Sequence, residues 1–186
     1  MDDFLTHSEL SYCATLFDDD KRFSKSFLDT SDNQTIYQQD QRTSSFCSLT
    51  KLQNAHVASI ERRASDFLGV SVEQLEPLQL VRYRVGEFFG IHHDLGILYD
   101  DGSVELPRRH SLQKRRIATI FVYLNDSDGC TYFPRCQELR ITPQRGRAVF
   151  FCNIFQNGMP DPNTIHAGEA PTVGIKYGLN IWVCET

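Results

Sequence analysis

The sequence predicts a mostly β fold with flanking helices, arranged as a double-stranded β-helix (a cupin-like jelly roll). Helical patterns come first in the chain, and from Leu78 onward short alternating segments dominate. The 186 residues suffice for one domain with a sizeable core, and 13 Phe and 7 Tyr suit a β-rich interior. We expect a single domain over 1–186, with helical support over about 1–75 and the jelly-roll core over about 76–186.

Two helices are predicted before the strands begin. Thr6 followed by Glu9 is a capping-box pattern, and apolar residues at helical spacing follow it, which predicts a helix over 7–18. A second helix is predicted over 54–68, with Gly69 as its C-terminal cap. Its apolar face would consist of Val57, Ile60, Ala64 and Phe67. The polar segment 18–41 is expected to form weak strands or loop.

Short strands are predicted for most of the remaining chain, because apolar and polar residues alternate there with a period of two. The predicted strands are 78–85, 88–93, 116–124, 130–133, 138–142, 147–152 and 178–184. A polar segment with Gly and Pro, 98–111, interrupts this pattern. It is equally compatible with an ordinary surface loop and with a lid over a neighbouring site.

The most informative stretch is His92-His93-Asp94, at the end of a predicted strand. Residues i and i+2 of a strand point to the same face, so His92 and Asp94 should project together and His93 away from them. One imidazole and one carboxylate supply two of the three ligands of a 2-His-1-carboxylate iron site. Alone the pattern is weak, because His-x-Asp is frequent by chance.

Two later residues complete a constellation with this pair. Taken singly, His166 is most simply a surface-loop histidine, and Lys176, ten residues later, a solvated lysine beside a turn. Together with His92 and Asp94 they match an Fe(II) site in which two histidines and a carboxylate leave three positions open. A bidentate 2-oxo acid and dioxygen can fill those positions, and a buried lysine can pair with the far carboxylate of the acid.

From about Phe4 to Val183, the chain resembles the prolyl 4-hydroxylase family of the 2-oxoglutarate/Fe(II)-dependent dioxygenases, in particular its plant, algal and collagen-type catalytic domains. The matching blocks, in the family's order, are Arg42 to Ser45; Glu76 to Tyr83 with Gly86, Phe89, His92 and Asp94; Arg116 to Thr119; Tyr123 to Asn125; Gly129 to Pro134; Pro143 to Phe151; and His166, Gly168, Lys176, Asn180 and Trp182.

The resemblance implies a role for each matching residue. His92, Asp94 and His166 match the iron ligands. Lys176 matches the lysine that pairs with the distal carboxylate of 2-oxoglutarate, Tyr83 matches a tyrosine that helps to hold it, and Thr119 is expected to line the same pocket. The positions associated with the peptide groove are Arg42, Ser44, Glu76, Arg116 and Trp182.

The implied reaction is hydroxylation of a peptidyl proline at C4, with 2-oxoglutarate converted to succinate and carbon dioxide and ascorbate as reductant. The expected partners are dioxygen and a proline-containing peptide or protein. Two alternatives stay open: a dioxygenase with another target (a free amino acid or a specific intracellular protein), and a catalytically silent peptide-binding module on the same fold.

Three residues depart from the family pattern. Phe89 stands where many members have tyrosine, Cys184 where some have histidine, and Cys130 interrupts the usual Gly-Gly-Glu-Thr turn. None of them is an expected metal ligand, so they bear on the substrate more than on the chemistry.

Composition excludes several classes of function. The net charge is −5, and no basic cluster exceeds Lys114-Arg115-Arg116, which argues against nucleic-acid binding. The chain opens with Met1-Asp2-Asp3-Phe4, without the bases of a signal peptide, and no apolar run approaches the ~20 residues of a membrane span. We therefore expect a cytoplasmic protein with no membrane partner. Its six cysteines should be reduced, mostly buried thiols, with a Cys130–Cys136 bridge as the alternative.

Overall fold

The computed structural model describes residues 1–26, 41–105 and 114–186 in full, together with the backbone of 28–29 and 35–36. The helices are α1 (His7–Leu16) and α2 (Ala55–Leu68), with 3-10 turns at Asp20–Arg22, Val72–Gln74 and Pro162–Thr164. The strands are β1 (Ser24–Lys25), β2 (Leu28–Asp29), β3 (Thr35–Ile36), β4 (Ser45–Ser48), β5 (Gln79–Arg84), β6 (Phe89–His92), β7 (Ile97–Leu98), β8 (Val104–Glu105), β9 (Arg116–Tyr123), β10 (Thr131–Phe133), β11 (Leu139–Ile141), β12 (Ala148–Cys152), β13 (His166–Gly168) and β14 (Ile175–Cys184).

Two antiparallel sheets dominate the described residues. The larger has the order β1-β4-β5-β14-β9-β12, and the smaller has the order β11-β10-β13-β6. Two separate hairpins pair β2 with β3 and β7 with β8. This arrangement of two sheets with helices on one side confirms the predicted jelly roll.

The two faces of the larger sheet have different partners, because successive residues of a strand point to opposite faces. On one face, Leu80 and Ile120 join the fully buried helix residues Val57 and Ile60 in one apolar cluster. On the other face, Val81, Tyr83, Phe121 and Tyr123 form a second cluster. The hydroxyl of Tyr123 donates to Thr131 Oγ1 on the smaller sheet at 2.7 Å. The second face is therefore the one enclosed between the sheets.

The helix ends follow the predicted capping chemistry. Thr6 and Glu9 form the capping box of α1, which ends at Leu16 rather than at the predicted residue 18. Asn54 caps the first turn of α2, and Gly69 ends it in the left-handed region at φ 66°. Phe67 was predicted on the apolar face, but it is 49% exposed and packs edge-on against the rings of Phe4 and Phe150.

Several strands lie outside the prediction. The larger sheet includes β4, which lies within the helical support expected over about 1–75, and β1, which lies in the segment 18–41 that was expected to form weak strands or loop. Strand β13, which begins at His166, is too short to show an alternating pattern, and β14 begins at Ile175 instead of at the predicted residue 178. The start of the polar segment 98–111 belongs to the β7–β8 hairpin, and its end, 106–111, lies outside the described residues. The same holds for most of the predicted weak strands between 27 and 40.

All six cysteines are free, so Cys130 and Cys136 are not bridged. The expected burial holds for Cys13, Cys47 and Cys184, whereas Cys136 and Cys152 are exposed. Neither α1 nor α2, nor any other helix of the described residues, is long and apolar enough to cross a membrane.

Candidate metal and co-substrate site

Cross-strand pairing assembles the site from distant parts of the chain. The direct partners are His166 and His92 across β13 and β6, Lys176 and Tyr83 across β14 and β5, and Trp182 and Thr119 across β14 and β9. Because register determines which side chains are neighbours, these three pairs create one continuous surface between the two sheets.

His92, Asp94 and His166 converge as the sequence predicted. Asp94 Oδ1 lies 3.5 Å from His92 Nε2 and 4.0 Å from His166 Nε2, and the three ligand atoms lie within 4.8 Å of one another. Asp94 itself lies just beyond β6, in a turn. The Nδ1 atoms of His92 and His166 lie 2.8 Å and 2.9 Å from the carbonyl oxygens of Gly90 and Thr164. A carbonyl only accepts, so each Nδ1 carries the proton and each Nε2 lone pair faces the gap.

The carboxylate of Asp94 is oriented by two donors on one oxygen. Its Oδ2 accepts from Thr119 Oγ1 at 2.7 Å and from Trp182 Nε1 at 3.2 Å, which leaves Oδ1 turned towards the imidazoles. Burial alone would raise the pKa of Asp94, but His166, His92 and Arg116 hold that pKa well below its usual range.

His166 is held in the neutral form that metal binding requires. Burial, reinforced by the nearby His92, lowers the pKa of His166 to about 4. Two imidazoles with Nε2 facing the gap and one ionised carboxylate with a free oxygen are a donor set suited to Fe(II). The residues therefore fit the metal implied by the sequence.

His93 points away from these ligands, as expected, but it is not a surface residue. Its side chain is buried, with Nε2 3.1 Å from the carbonyl oxygen of Asp161, and its Nδ1 accepts from Leu95 N at 3.1 Å. Thr164 Oγ1 lies 3.1 Å from the same Nε2. These contacts of His93 stabilise the 3-10 turn Pro162–Thr164, which leads directly into His166.

Lys176 is buried, and its ammonium group faces a backbone carbonyl. It is 1% exposed, and its Nζ donates to the carbonyl oxygen of Cys130 at 3.2 Å. No carboxylate of the described residues lies within salt-bridge distance of this Nζ. Burial lowers the pKa of Lys176 to about 8, against the opposing effects of Cys130 and Glu169. A buried ammonium is costly unless paired, so this position is suited to an anionic ligand.

One pocket contains both the ligand triad and Lys176. The space between its walls is about 440 Å³, part of it open to solvent. Its lining residues are Tyr83, Phe89, His92, Asp94, Thr119, Phe121, Thr131, Phe151, His166, Gly168, Lys176, Asn180 and Trp182. Two glycines make room for aromatic walls: a Cβ at Gly178 would lie 2.3 Å from Phe121 Cζ, and one at Gly168 would lie 3.2 Å from the hydroxyl of Tyr83.

Thr119 and Tyr83 both line this pocket, at different ends. Thr119 lies at the metal end of the pocket, where its hydroxyl donates to Asp94 Oδ2. Tyr83 is the cross-strand partner of Lys176, and the Lys176 Nζ lies 5.0 Å from the centre of its ring. Burial raises the pKa of Tyr83, so its hydroxyl is a neutral donor.

The residues expected in the peptide groove differ in exposure. Ser44 is fully buried, and its Oγ lies 3.1 Å from Ser26 Oγ. Trp182 is 6% exposed. Arg42 is half-buried, with its guanidinium 4.2 Å above the ring of Phe89. Glu76 and Arg116 are also half-buried, and Trp182 lines the pocket.

Arg116 and Glu76 form an ion pair beside Trp182. Two guanidinium nitrogens of Arg116 donate to the Glu76 carboxylate at 2.6 Å and 2.7 Å. The same guanidinium lies 3.7 Å above the Trp182 ring, and the thiol of Cys184 is 3.4 Å from Glu76 Oε1. The pair therefore covers the indole that holds Asp94.

Sequence reasoning missed several residues of the site. The rings of Phe133 and Phe151 pack against His166 at centroid distances of 5.4 Å and 5.0 Å. Phe89, noted only as a departure, is stacked on His92 at 3.5 Å. Their apolar alternation predicted strands but could not show which ring faces a ligand. Asn153, fully buried beside Thr119, gave no signal at all.

Comparison with known proteins agrees with this geometry. Residues 78–184 match the family described as the 2OG-Fe(II) oxygenase superfamily. The chain belongs to this superfamily. It is 28% identical over 202 residues to prolyl 4-hydroxylase 2 of Arabidopsis thaliana, covering 97% of this chain and 64% of the relative. It is 33% identical over 159 residues to prolyl 4-hydroxylase subunit alpha-1 of Homo sapiens, covering 84% of this chain and 28% of the relative.

The chain therefore spans less than two thirds of the length of these curated relatives. Among solved structures, the 2OG complex of the viral collagen prolyl hydroxylase from Paramecium bursaria Chlorella virus-1 has a TM-score of 0.72 at 21% identity, covering 100% of this chain and 94% of that one. A prolyl-4-hydroxylase from Pseudomonas putida has a TM-score of 0.62 at 15% identity, covering 100% and 91%. These structures share the fold, and the expected resemblance to prolyl 4-hydroxylases is confirmed.

Proposed function

We propose that the chain is a 2-oxoglutarate- and Fe(II)-dependent dioxygenase that hydroxylates peptidyl proline at C4. One observation carries the proposal: a His-Asp-His ligand group shares a single pocket with a buried lysine that has no counter-ion among the described residues. A metal-binding site needs no such lysine, and an inert fold gains nothing from burying one. The pair of features matches an acid that chelates a metal at one end and carries a carboxylate at the other.

Each residue then has a defined task. His92, Asp94 and His166 would hold Fe(II), and Lys176 with Tyr83 would hold the distal carboxylate of 2-oxoglutarate. When bound, Fe(II) and 2-oxoglutarate would supply the oxidising chemistry: 2-oxoglutarate and dioxygen are converted to succinate and carbon dioxide, with one oxygen atom of dioxygen in succinate and the other in the hydroxyl group of the substrate. Ascorbate is the proposed reductant that maintains Fe(II).

Aromatic rings restrain the proposed ligand side chains. Phe89 lies flat on His92, and Phe133 and Phe151 pack against His166. Lys176 is buried, so the ion pair that it would form with a carboxylate is stronger than in water. Restrained ligand side chains would also hold a bound metal in a fixed place beside the pocket.

A peptide substrate is favoured by the relatives rather than by the pocket itself. Similar proteins are prolyl 4-hydroxylases, and one similar structure is a Trichoplax adhaerens prolyl hydroxylase in complex with a hypoxia inducible factor peptide fragment. A proline-rich peptide in polyproline II form presents carbonyls without internal hydrogen bonds, which suits the Arg42 guanidinium at the pocket edge. The Arg116–Glu76 pair would flank the same peptide.

The test measures succinate release and peptide mass with Fe(II), ascorbate and 2-oxoglutarate, with and without a poly-proline peptide. We expect succinate to rise with the peptide, and the peptide to gain the mass of one oxygen at C4 of proline. Succinate that never depends on poly-proline, together with oxygen on a free amino acid or another protein, would favour the other-target alternative. If the protein binds the metal but releases no succinate under any condition, the catalytically silent peptide-binding module is the remaining alternative.

A further inference from the structure

Asn153 lies directly after β12 and is fully buried. Its side-chain Nδ2 donates to the backbone carbonyl of Arg116 at 3.0 Å and to Thr119 Oγ1 at 3.1 Å. Thr119 in turn donates to Asp94 Oδ2 at 2.7 Å. Asn153 therefore stands two hydrogen bonds away from a proposed metal ligand.

The direction of these hydrogen bonds follows from which groups can donate. The carbonyl of Arg116 only accepts, so the amide nitrogen of Asn153, not its oxygen, must face it. The same nitrogen donates to Thr119, whose hydroxyl has a single proton. That proton is therefore directed to Asp94 Oδ2, and Oδ1 is left for the metal.

The backbone of Asn153 supports the second ligand element. Its carbonyl accepts from Asp161 N at 3.0 Å, and the carbonyl of Asp161 lies 3.1 Å from His93 Nε2. These contacts hold the turn that leads into His166. One buried residue thus connects the supports of Asp94 and of His166.

The two ends of the Asn153 amide differ in their hydrogen bonding. Its Oδ1 is buried and has no hydrogen-bond partner among the described residues. A buried acceptor without a partner destabilises the native state. The benefit of the amide must therefore lie in what its nitrogen does.

We infer that Asn153 is a positioning residue that orients Asp94 for metal binding through the hydroxyl of Thr119. The inference rests on the proposed metal site. It predicts that the Asn153 side chain affects metal affinity only when the Thr119 hydroxyl is present.

The experiment titrates the metal-free protein with Co(II) and follows the fluorescence of Trp182, the chain's one tryptophan, which donates to Asp94. The variants are Asn153→Ala, Asn153→Asp, Thr119→Val, Thr119→Ser and the double variant Asn153→Ala/Thr119→Val. Asn153→Asp keeps the volume of the side chain and replaces the donor by an acceptor, so it draws the Thr119 proton away from Asp94. Asn54→Ala is the control, because it removes a helix cap remote from the site.

We expect Asn153→Ala, Asn153→Asp and Thr119→Val each to weaken Co(II) binding about tenfold, as for other residues behind metal ligands. Thr119→Ser, which keeps the hydroxyl, should recover most of the affinity that Thr119→Val loses. Asn54→Ala should bind Co(II) like the wild type, and the double variant no more weakly than Thr119→Val. If Asn153→Ala does not fold, the Co(II) affinity of Asn153→Asp tests the inference.

The inference is overturned if both Asn153 variants bind Co(II) like the wild type, or if the loss caused by Asn153→Ala is undiminished in the Thr119→Val background. A wild-type protein that binds no Co(II) refutes the metal site itself, and the inference with it. A normal wild-type affinity with unaffected Asn153 variants refutes only the role of Asn153.

Discussion

Lys176 is the residue on which the co-substrate assignment depends most. A charge-assisted pair with a carboxylate is worth about 1.5–3 kcal/mol, which corresponds to a change of about ten- to a hundredfold in binding. Lys176→Ala should therefore raise the KM for 2-oxoglutarate by about that factor while Co(II) affinity stays unchanged. Steady-state kinetics and the Co(II) titration measure the two quantities separately. An unchanged KM would dismiss the anchor role.

The same anchor should depend on pH with a definite sign. The pKa of Lys176 is lowered to about 8, so the ammonium is present below that pH and is lost above it. Affinity for 2-oxoglutarate should accordingly be full at lower pH and decline as pH rises through about 8. Lys176→Arg is the control, because its guanidinium stays charged: binding should be weaker, since the planar fork does not fit an ammonium site, but flat across this range.

Substitution of Arg116 tests whether this residue binds the peptide or only stabilises the fold. Arg116→Ala should raise the KM for a poly-proline peptide about tenfold, the effect of losing a charged hydrogen bond, with the KM for 2-oxoglutarate near the wild-type value. Arg115→Ala is a matched control, because Arg115 pairs with Glu185 at 3.0 Å at similar exposure. If Arg116→Ala instead lowers the melting temperature and damages the use of both substrates equally, the ion pair with Glu76 is purely structural.

At the scale of elements, the short strands β6 and β13 and the turn before β13 form the metal site. His166→Ala removes one of three protein ligands and should abolish Co(II) binding at micromolar metal. His93→Ala removes no ligand, but it frees the turn Pro162–Thr164 and leaves the carbonyl of Asp161 with fewer donors. It should cost about 1–3 kcal/mol of stability and affect Co(II) affinity far less.

Chemical denaturation and the Co(II) titration test these two variants side by side. His56→Ala, on the surface of α2, is the control for the loss of an imidazole. Retention of full Co(II) affinity and turnover by His166→Ala would show that the triad is assigned wrongly. If His93→Ala lost as much Co(II) affinity as His166→Ala, the assignment of His166 as a ligand and of His93 as a support of the turn would be contradicted.

At the scale of the whole molecule, the sequence predicted those features that depend only on residues close together in the chain. The capping box of Thr6 and Glu9, the Gly69 cap and the alternation of β5, β9 and β12 need only neighbours in sequence. His92 and Asp94 were predictable because their two-residue spacing already implies a shared face. The three-residue β13 carries too little pattern for a strand to be recognised.

Hydrogen bonds between distant residues set the limit of what the sequence could predict. Trp182 was expected in the peptide groove, but its indole donates to Asp94, which is 88 residues away in the chain. Thr119 and Asn153 contribute through the register of β9, β12 and β14, which no single segment encodes. The residue types show that these side chains can donate hydrogen bonds. Which acceptor each one reaches depends on the order and register of the strands.

Binding of metal and co-substrate should also stabilise the fold as a whole, because both sheets supply ligands. A ligand at a hundred times its Kd adds about 2.7 kcal/mol, which for a chain of this size raises Tm by roughly 5–11 °C. Differential scanning fluorimetry with Mn(II), and then with 2-oxoglutarate added, should show two successive increases. Lys176→Ala should keep the first and lose most of the second, whereas His166→Ala should lose both. A full 2-oxoglutarate shift in His166→Ala would mean that the acid binds without chelating the metal, contrary to the proposed arrangement.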